Sequence, residues 1–99
     1  MPAISKRAAA VSGVATADIQ GHGGRVQITI DPSSASGTGT ITAKTFASSG
    51  FETVYDSAGA ALTSISLSSQ VSYIIDGVFD SIKVASSNAA DAFDVIVSA

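Results

Sequence analysis

The one histidine of the sequence, His22, lies between Gly21 and Gly23-Gly24, and there is no cysteine. A catalytic histidine needs a nucleophile and an orienting carboxylate held in fixed geometry. A side chain set among glycines is not held that way. The same Gly21-His22-Gly23-Gly24 run looks like a phosphate-cradling loop, but such loops hand the anion to the N-terminus of a following helix. Here Arg25–Ile30 follows with strand alternation, so the run is expected to be a turn. Paired carboxylates would suit glycoside hydrolysis or calcium binding. The available pairs are Asp76 with Asp80 and Asp91 with Asp94. Asp76 and Asp91 fall at strand ends, where Asp caps turns, and Asp80 and Asp94 fall in the solvent phase. No D-x-D-x-D-G loop is present. Ser64, Ser66, Ser68, Ser69 and Ser72 occupy polar strand positions, and none sits in a G-x-S-x-G elbow. The expectation is no catalytic residue, no metal, no cofactor and no enzymatic activity.

The elements that carry these residues read as strands. Val26, Ile28 and Ile30 alternate with Arg25, Gln27 and Thr29. Ile65 and Leu67 alternate with serines. Val71, Tyr73 and Ile75 share a phase, as do Ile82 and Val84, and Phe93, Val95 and Val97. Thr38–Phe46 places Ile41 and Ala43 in register, and Phe51, Thr53 and Tyr55 oppose Glu52, Val54 and Asp56. Period-two alternation in β-branched and aromatic residues fits a half-buried pleated surface. Turn signals recur at the spacing of a sandwich or barrel. Asp31-Pro32 is expected to stop one strand. Asp56-Ser57-Ala58-Gly59 has the composition of a type I turn. Asp76-Gly77 is either a hairpin turn or a bend between two sheets. Ser86–Asp91 reads as a loop.

These signals predict an all-β antiparallel sandwich, jelly-roll or Ig-like, of about eight strands. A chain of 99 residues is one domain. Its folded surface should be roughly 5,200 Å², enough to enclose one modest core. Residues 14–99 are expected to form the sandwich. Residues 1–13 are read as a short extended arm, because Ser5–Val11 is too short for an independent helix and carries little apolar mass. The core is expected to include Ile28, Tyr73, Ile82 and Val95, with Phe51 and Phe93. Phe46 and Phe79 fall out of phase with the clearest core positions and are candidates for a subunit contact. Lys6 and Arg7 are candidates for contact with a partner.

Net charge is −3 with only five basic residues. Such a balance is poorly suited to nucleic acid, where affinity rests on neutralising phosphates. No apolar run follows the Lys6-Arg7 pair, so no secretory signal is expected. No stretch approaches the ~18 apolar residues of a membrane span.

The runs Phe51–Gly59, Tyr73–Val84 and Phe93–Val97 resemble the small all-β virion proteins of tailed bacteriophages, cysteine-free and rich in Ser, Thr, Ala and Gly. That resemblance implies a structural protein made in the host cytoplasm and built into the virion. It implies decoration or stabilisation of the capsid through contacts with the major capsid protein or another virion protein. It also implies many copies and homo-oligomerisation, a trimer being one form. A tail, neck or fibre component is the nearest alternative, and a carbohydrate-binding module is the alternative from another class.

Overall fold

The computed structural model describes residues 4–45 and 50–99, with backbone only at His22 and Gly23. Seven strands form one antiparallel sheet: β1 (Ser5–Ala9), β2 (Val14–Ser34), β3 (Thr38–Lys44), β4 (Glu52–Thr53), β5 (Ile65–Ser66), β6 (Val71–Ser86) and β7 (Ala92–Ser98). The order is β1-β7-β2-β6-β3-β4, with β5 paired to β3 beside β4. No helix occurs among the described residues. The molecular surface, 5125 Å², is close to the value expected for a folded chain of this mass.

Two long strands organise everything. β2 and β6 pair along most of their length, from Val14 opposite Ala85 to Ile30 opposite Val71. The ribbon's two halves have different neighbours. β7 pairs with β2 only over Gln27–Ser34, and β1 lies outside β7. β3 pairs with β6 only over Ser81–Ser86, and β4 and β5 lie outside β3. The sandwich therefore arises from one sheet that folds over, its central ribbon running through both layers. Strands that switch layers turn such corners by bulges or bends.

The corner is visible in the register and the backbone. Asp18 opposes Ser81, but His22 opposes Phe79, so β2 carries extra residues there. Gln20, Gly21 and Gly24 have positive φ on β2, and Gly77 has φ of 138° on β6. The inward phase changes across this corner. On β2 it passes from Ala15, Ala17 and Ile19 to Val26, Ile28 and Ile30, and on β6 from Ile75 and Phe79 to Ile82 and Val84. All of these side chains join one hydrophobic cluster with Ile41, Phe93, Val95 and Val97. Ser81, buried at the phase change, donates its hydroxyl to Asp18.

This geometry corrects several expectations. The Gly21–Gly24 run is not a turn between two strands but a bulged corner inside β2. Asp76-Gly77 takes the second of its two expected forms, a bend, and β6 continues through it. Pro32 does not stop β2. Past Ile30 the strand has lost β6 and pairs only with β7, so one side of the backbone is free and the missing N–H of proline costs no ladder bond. The expected eight strands become seven because two pairs merge and β1 is added.

Ser5–Ala9 is not a free arm. It pairs antiparallel with β7 from Ser5 opposite Ser98 to Ala9 opposite Asp94, and Ile4, Ala8 and Ala10 pack against the core. Backbone pairing with β7 compensates for its scarce apolar mass.

Gly77 requires its residue type twice over. Its φ lies in a region that side chains rarely adopt, and a Cβ there would sit 2.9 Å from Cζ of Phe79. Gly77→Ala is expected to cost about 1–3 kcal/mol, read as a lower urea midpoint.

Candidate contact surfaces

The two basic residues singled out from the sequence lie on β1 and project to opposite faces. Arg7 points to the outer face. Its Nε donates to Oδ2 of Asp94 at 2.7 Å and its Nη2 to Oδ2 of Asp31 at 3.0 Å. The hydrogen bonds to Asp94 and then Asp31 raise the guanidinium pKa above its ordinary value. All three groups remain solvated, and exposed pairs of this kind add little stability. Their effect is to fix the direction of Arg7 and tie β1 to β7 and β2. Lys6 lies on the other side of β1, in phase with Ile4 and Ala8, yet it is exposed and forms no ion pair among the described residues.

Phe79, expected at a subunit contact, is a core residue at 9% exposure. Its phase had been judged against Ile82 and Val84, which lie beyond the corner. Phe46 lies outside the described residues. Phe51, expected in the core, is half-buried under two lysines, with Nζ of Lys83 4.5 Å and Nζ of Lys44 5.3 Å from its ring centre. Cation–π contacts of this length are attractive. Val54, not Tyr55, enters the core, because β4 is too short for alternation to hold past Thr53. Phe93 is buried, and Tyr73 is half-buried. Burial, then the charge of Asp56, raises the Tyr73 phenol above its ordinary pKa.

Sequence reasoning missed the apolar side chains that do reach solvent. Ile74 and Val78 lie on the outer face of β6, 37% and 53% exposed, with Asp76 between them bonded to Arg25 at 3.3 Å. Tyr55 is 57% exposed and lines a recess with Asp76 and Phe79. Only Ile74, between Tyr73 and Ile75, falls in the outward phase; Val78 shares the phase of Ile82, and Tyr55 that of Phe51, so alternation alone places both with expected core residues.

The carboxylates do not converge. Among the described residues no three of His, Asp or Glu come together at metal-binding distances. Asp56 accepts from the backbone N–H groups of Ala58 and Ala60, both at 2.9 Å, and Gly59 closes the predicted turn on the Asp56 carbonyl at 3.0 Å. Asp91 is 6% exposed and ties two loops together. It accepts the Ser86 hydroxyl at 2.6 Å and the backbone N–H groups of Ser36 at 3.1 Å and Gly37 at 3.0 Å. The Ser86 hydroxyl most, and the two amides after it, hold the carboxyl below the usual carboxylate range in spite of desolvation. A Cβ at Gly37 would meet that carboxylate at 2.7 Å, so glycine is what lets the loop approach.

A pH dependence follows. A depressed folded-state pKa stabilises the fold above the unfolded value, near pH 4, and the contribution fades as pH falls through the folded value. Asp91→Asn is expected to lower Tm at pH 7. The gap to the parent should narrow as melts are taken from about pH 4 downward.

With this geometry in view, the chain was compared with known proteins. No protein-family model matches it, and no curated protein matches by sequence. Solved structures do. The SPBc2 prophage-derived protein YomS superposes with a TM-score of 0.58 and 12% identity over 99% of this chain and 94% of that one. The two share a fold. A protein of the disulfide-linked pili of Bacillus endospore appendages superposes with a TM-score of 0.48 and 14% identity, over 98% of this chain and 81% of that one. A TM-score this low carries no argument about fold or role.

Proposed function

We propose that this chain is a structural virion protein that decorates or stabilises a bacteriophage capsid through protein–protein contacts made in many copies. The observation that carries the reading is the fold shared with a prophage-derived protein, coextensive on both chains. The sequence resemblance to small β virion proteins points the same way. The surface is suited to the role. Ile74, Val78 and Tyr55 reach solvent, and the edge of β1 is open. Interfaces place apolar and aromatic residues at their centres with polar groups at the rim. The Asp76–Arg25 pair sits beside Ile74 and Val78 in such a rim position. The role needs no reaction at any residue, so the protein acts without catalysis or cofactor.

The test is reconstitution. Capsids from a genome lacking this gene are mixed with purified protein and sedimented. Saturable co-sedimentation with capsids, and not with isolated tails, is the expected result. Binding to tails alone would move the protein to the tail, neck or fibre, and binding to neither would reject the virion role.

A further inference from the structure

β1 ends the sheet, and its hydrogen bonds define what its free side offers. Ile4 and Ala99 exchange both backbone bonds, at 2.9 and 3.0 Å, and the N–H of Ala10 bonds the Phe93 carbonyl at 2.9 Å. In an antiparallel ladder, residues that exchange bonds alternate with residues whose N–H and C=O point away. With the register of β1 on β7, the backbone groups of Ile4, Lys6, Ala8 and Ala10 face β7. Those of Ser5, Arg7 and Ala9 face outward, and all three residues are exposed. Among the described residues the edge is a strip of unpaired donors and acceptors as far as Ala9, and the next outward residue, Val11, exchanges both backbone bonds with Val14 at 2.9 and 3.1 Å. The strip from Ser5 to Ala9 is a template for another strand.

The side chains specify the strand. On the core-facing side, Ile4 and Ala8 flank Lys6, so an incoming strand would meet apolar, cationic and apolar positions in succession. On the outer side Arg7 is already bound to Asp31 and Asp94. Lys6 is the charge on β1 that has no counterion among the described residues. A second copy of β1 fits badly in two of its antiparallel registers. The antiparallel register centred on Lys6 sets two ammonium groups opposite each other, and the one centred on Arg7 does the same with two guanidinium groups. Like charges directly opposite are destabilising.

We propose that the outer edge of β1 binds an extended acidic segment of a partner protein, adding it to the sheet with a carboxylate opposite Lys6 and apolar residues opposite Ile4 and Ala8. Ser5, Arg7 and Ala9 supply the backbone hydrogen bonds, and Lys6 rejects strands that lack the matching charge. The proposal names a contact through which the virion role would be exercised, but it stands on the geometry of β1 alone.

The test uses the full chain and the blocked peptide Thr-Val-Thr-Glu-Thr-Val-Thr, followed by amide NMR. The expected result is saturable binding, with slowed exchange at the amides of Ser5, Arg7 and Ala9. Replacing the peptide's glutamate with lysine, or Lys6→Glu in the protein, should weaken binding about tenfold. Ala9→Pro removes an outward N–H that β7 does not use, so it should abolish binding while leaving Tm near that of the parent. Peptide that fails to bind, binds Ala9→Pro unchanged, or binds equally with lysine at its centre would overturn the proposal. None of those results bears on whether the protein is found in virions, which is read separately from particles.

Discussion

Truncating Ile28 or Ile82 to alanine is expected to cost about 2–5 kcal/mol of folding stability. Both side chains are fully buried, at 0% exposure. Their surroundings differ, and the difference orders the two variants. Ile28 lies between Val97 on β7 and Tyr73 on β6, bulky neighbours that can relax into part of the space. Ile82 lies between Ala17 on β2 and Ala43 on β3. Removing it leaves three alanines abreast with little to fill the gap, so Ile82→Ala should be the more damaging. Against a total of roughly 5–15 kcal/mol, either loss is large. Urea titration of the two variants reads it directly. Unmoved midpoints would mean that the strands are out by one residue, since such a slip exchanges the two faces.

Deleting residues 1–10 is the second large effect. An arm would be dispensable, but β1 is not an arm. Its removal strips β7 of its outer partner and uncovers core that Ile4, Ala8 and Ala10 now shield. From the apolar groups involved, the loss should be on the order of 2–4 kcal/mol. Arg7→Ala should lose far less, because its ion pairs are exposed. A deletion variant that melts with the parent would contradict the pairing of β1 with β7.

The parts of this fold that could be read in advance are those where alternation spans a whole strand in one layer. Val26, Ile28 and Ile30 on β2, Ile41 and Ala43 on β3, and Phe93, Val95 and Val97 on β7 all point inward as their spacing predicts. The reading failed at the corner. Gly-His-Gly-Gly reads as a turn, and Asp-Gly leaves a hairpin and a bend both open, because such residues punctuate a sequence in the same way whether the chain reverses or bends within a strand. Only the partner strand distinguishes the two. Phe79 was misplaced by the same cause, because the inward phase changes just after it. β1 was missed because two of its three core-facing contacts are alanines, which carry almost no hydrophobic signal. What positions it is hydrogen bonding to a strand nearly ninety residues away in sequence. Of the candidate contact residues, Lys6 and Arg7 were picked out by charge and face opposite ways. Ile74, Val78 and Tyr55 were not separated from the core by type alone.

Four carboxylates of this chain are spent on a turn, a loop tie and a surface pair. Asp56 closes a hairpin, Asp91 joins two loops, and Asp31 and Asp94 hold Arg7. These groups tie β1, β2, β7 and the loops into one frame, and Ile74 and Val78 on the outer face of β6 stay exposed.

The central claim is that this frame is a virion component, and the composition of purified particles tests it most directly. Particles produced by the genome that encodes this chain should be separated into heads and tails, and each fraction quantified by mass spectrometry against the major capsid subunit. The account predicts the protein in the head fraction, in numbers comparable to that subunit. Its absence from both fractions would contradict the account.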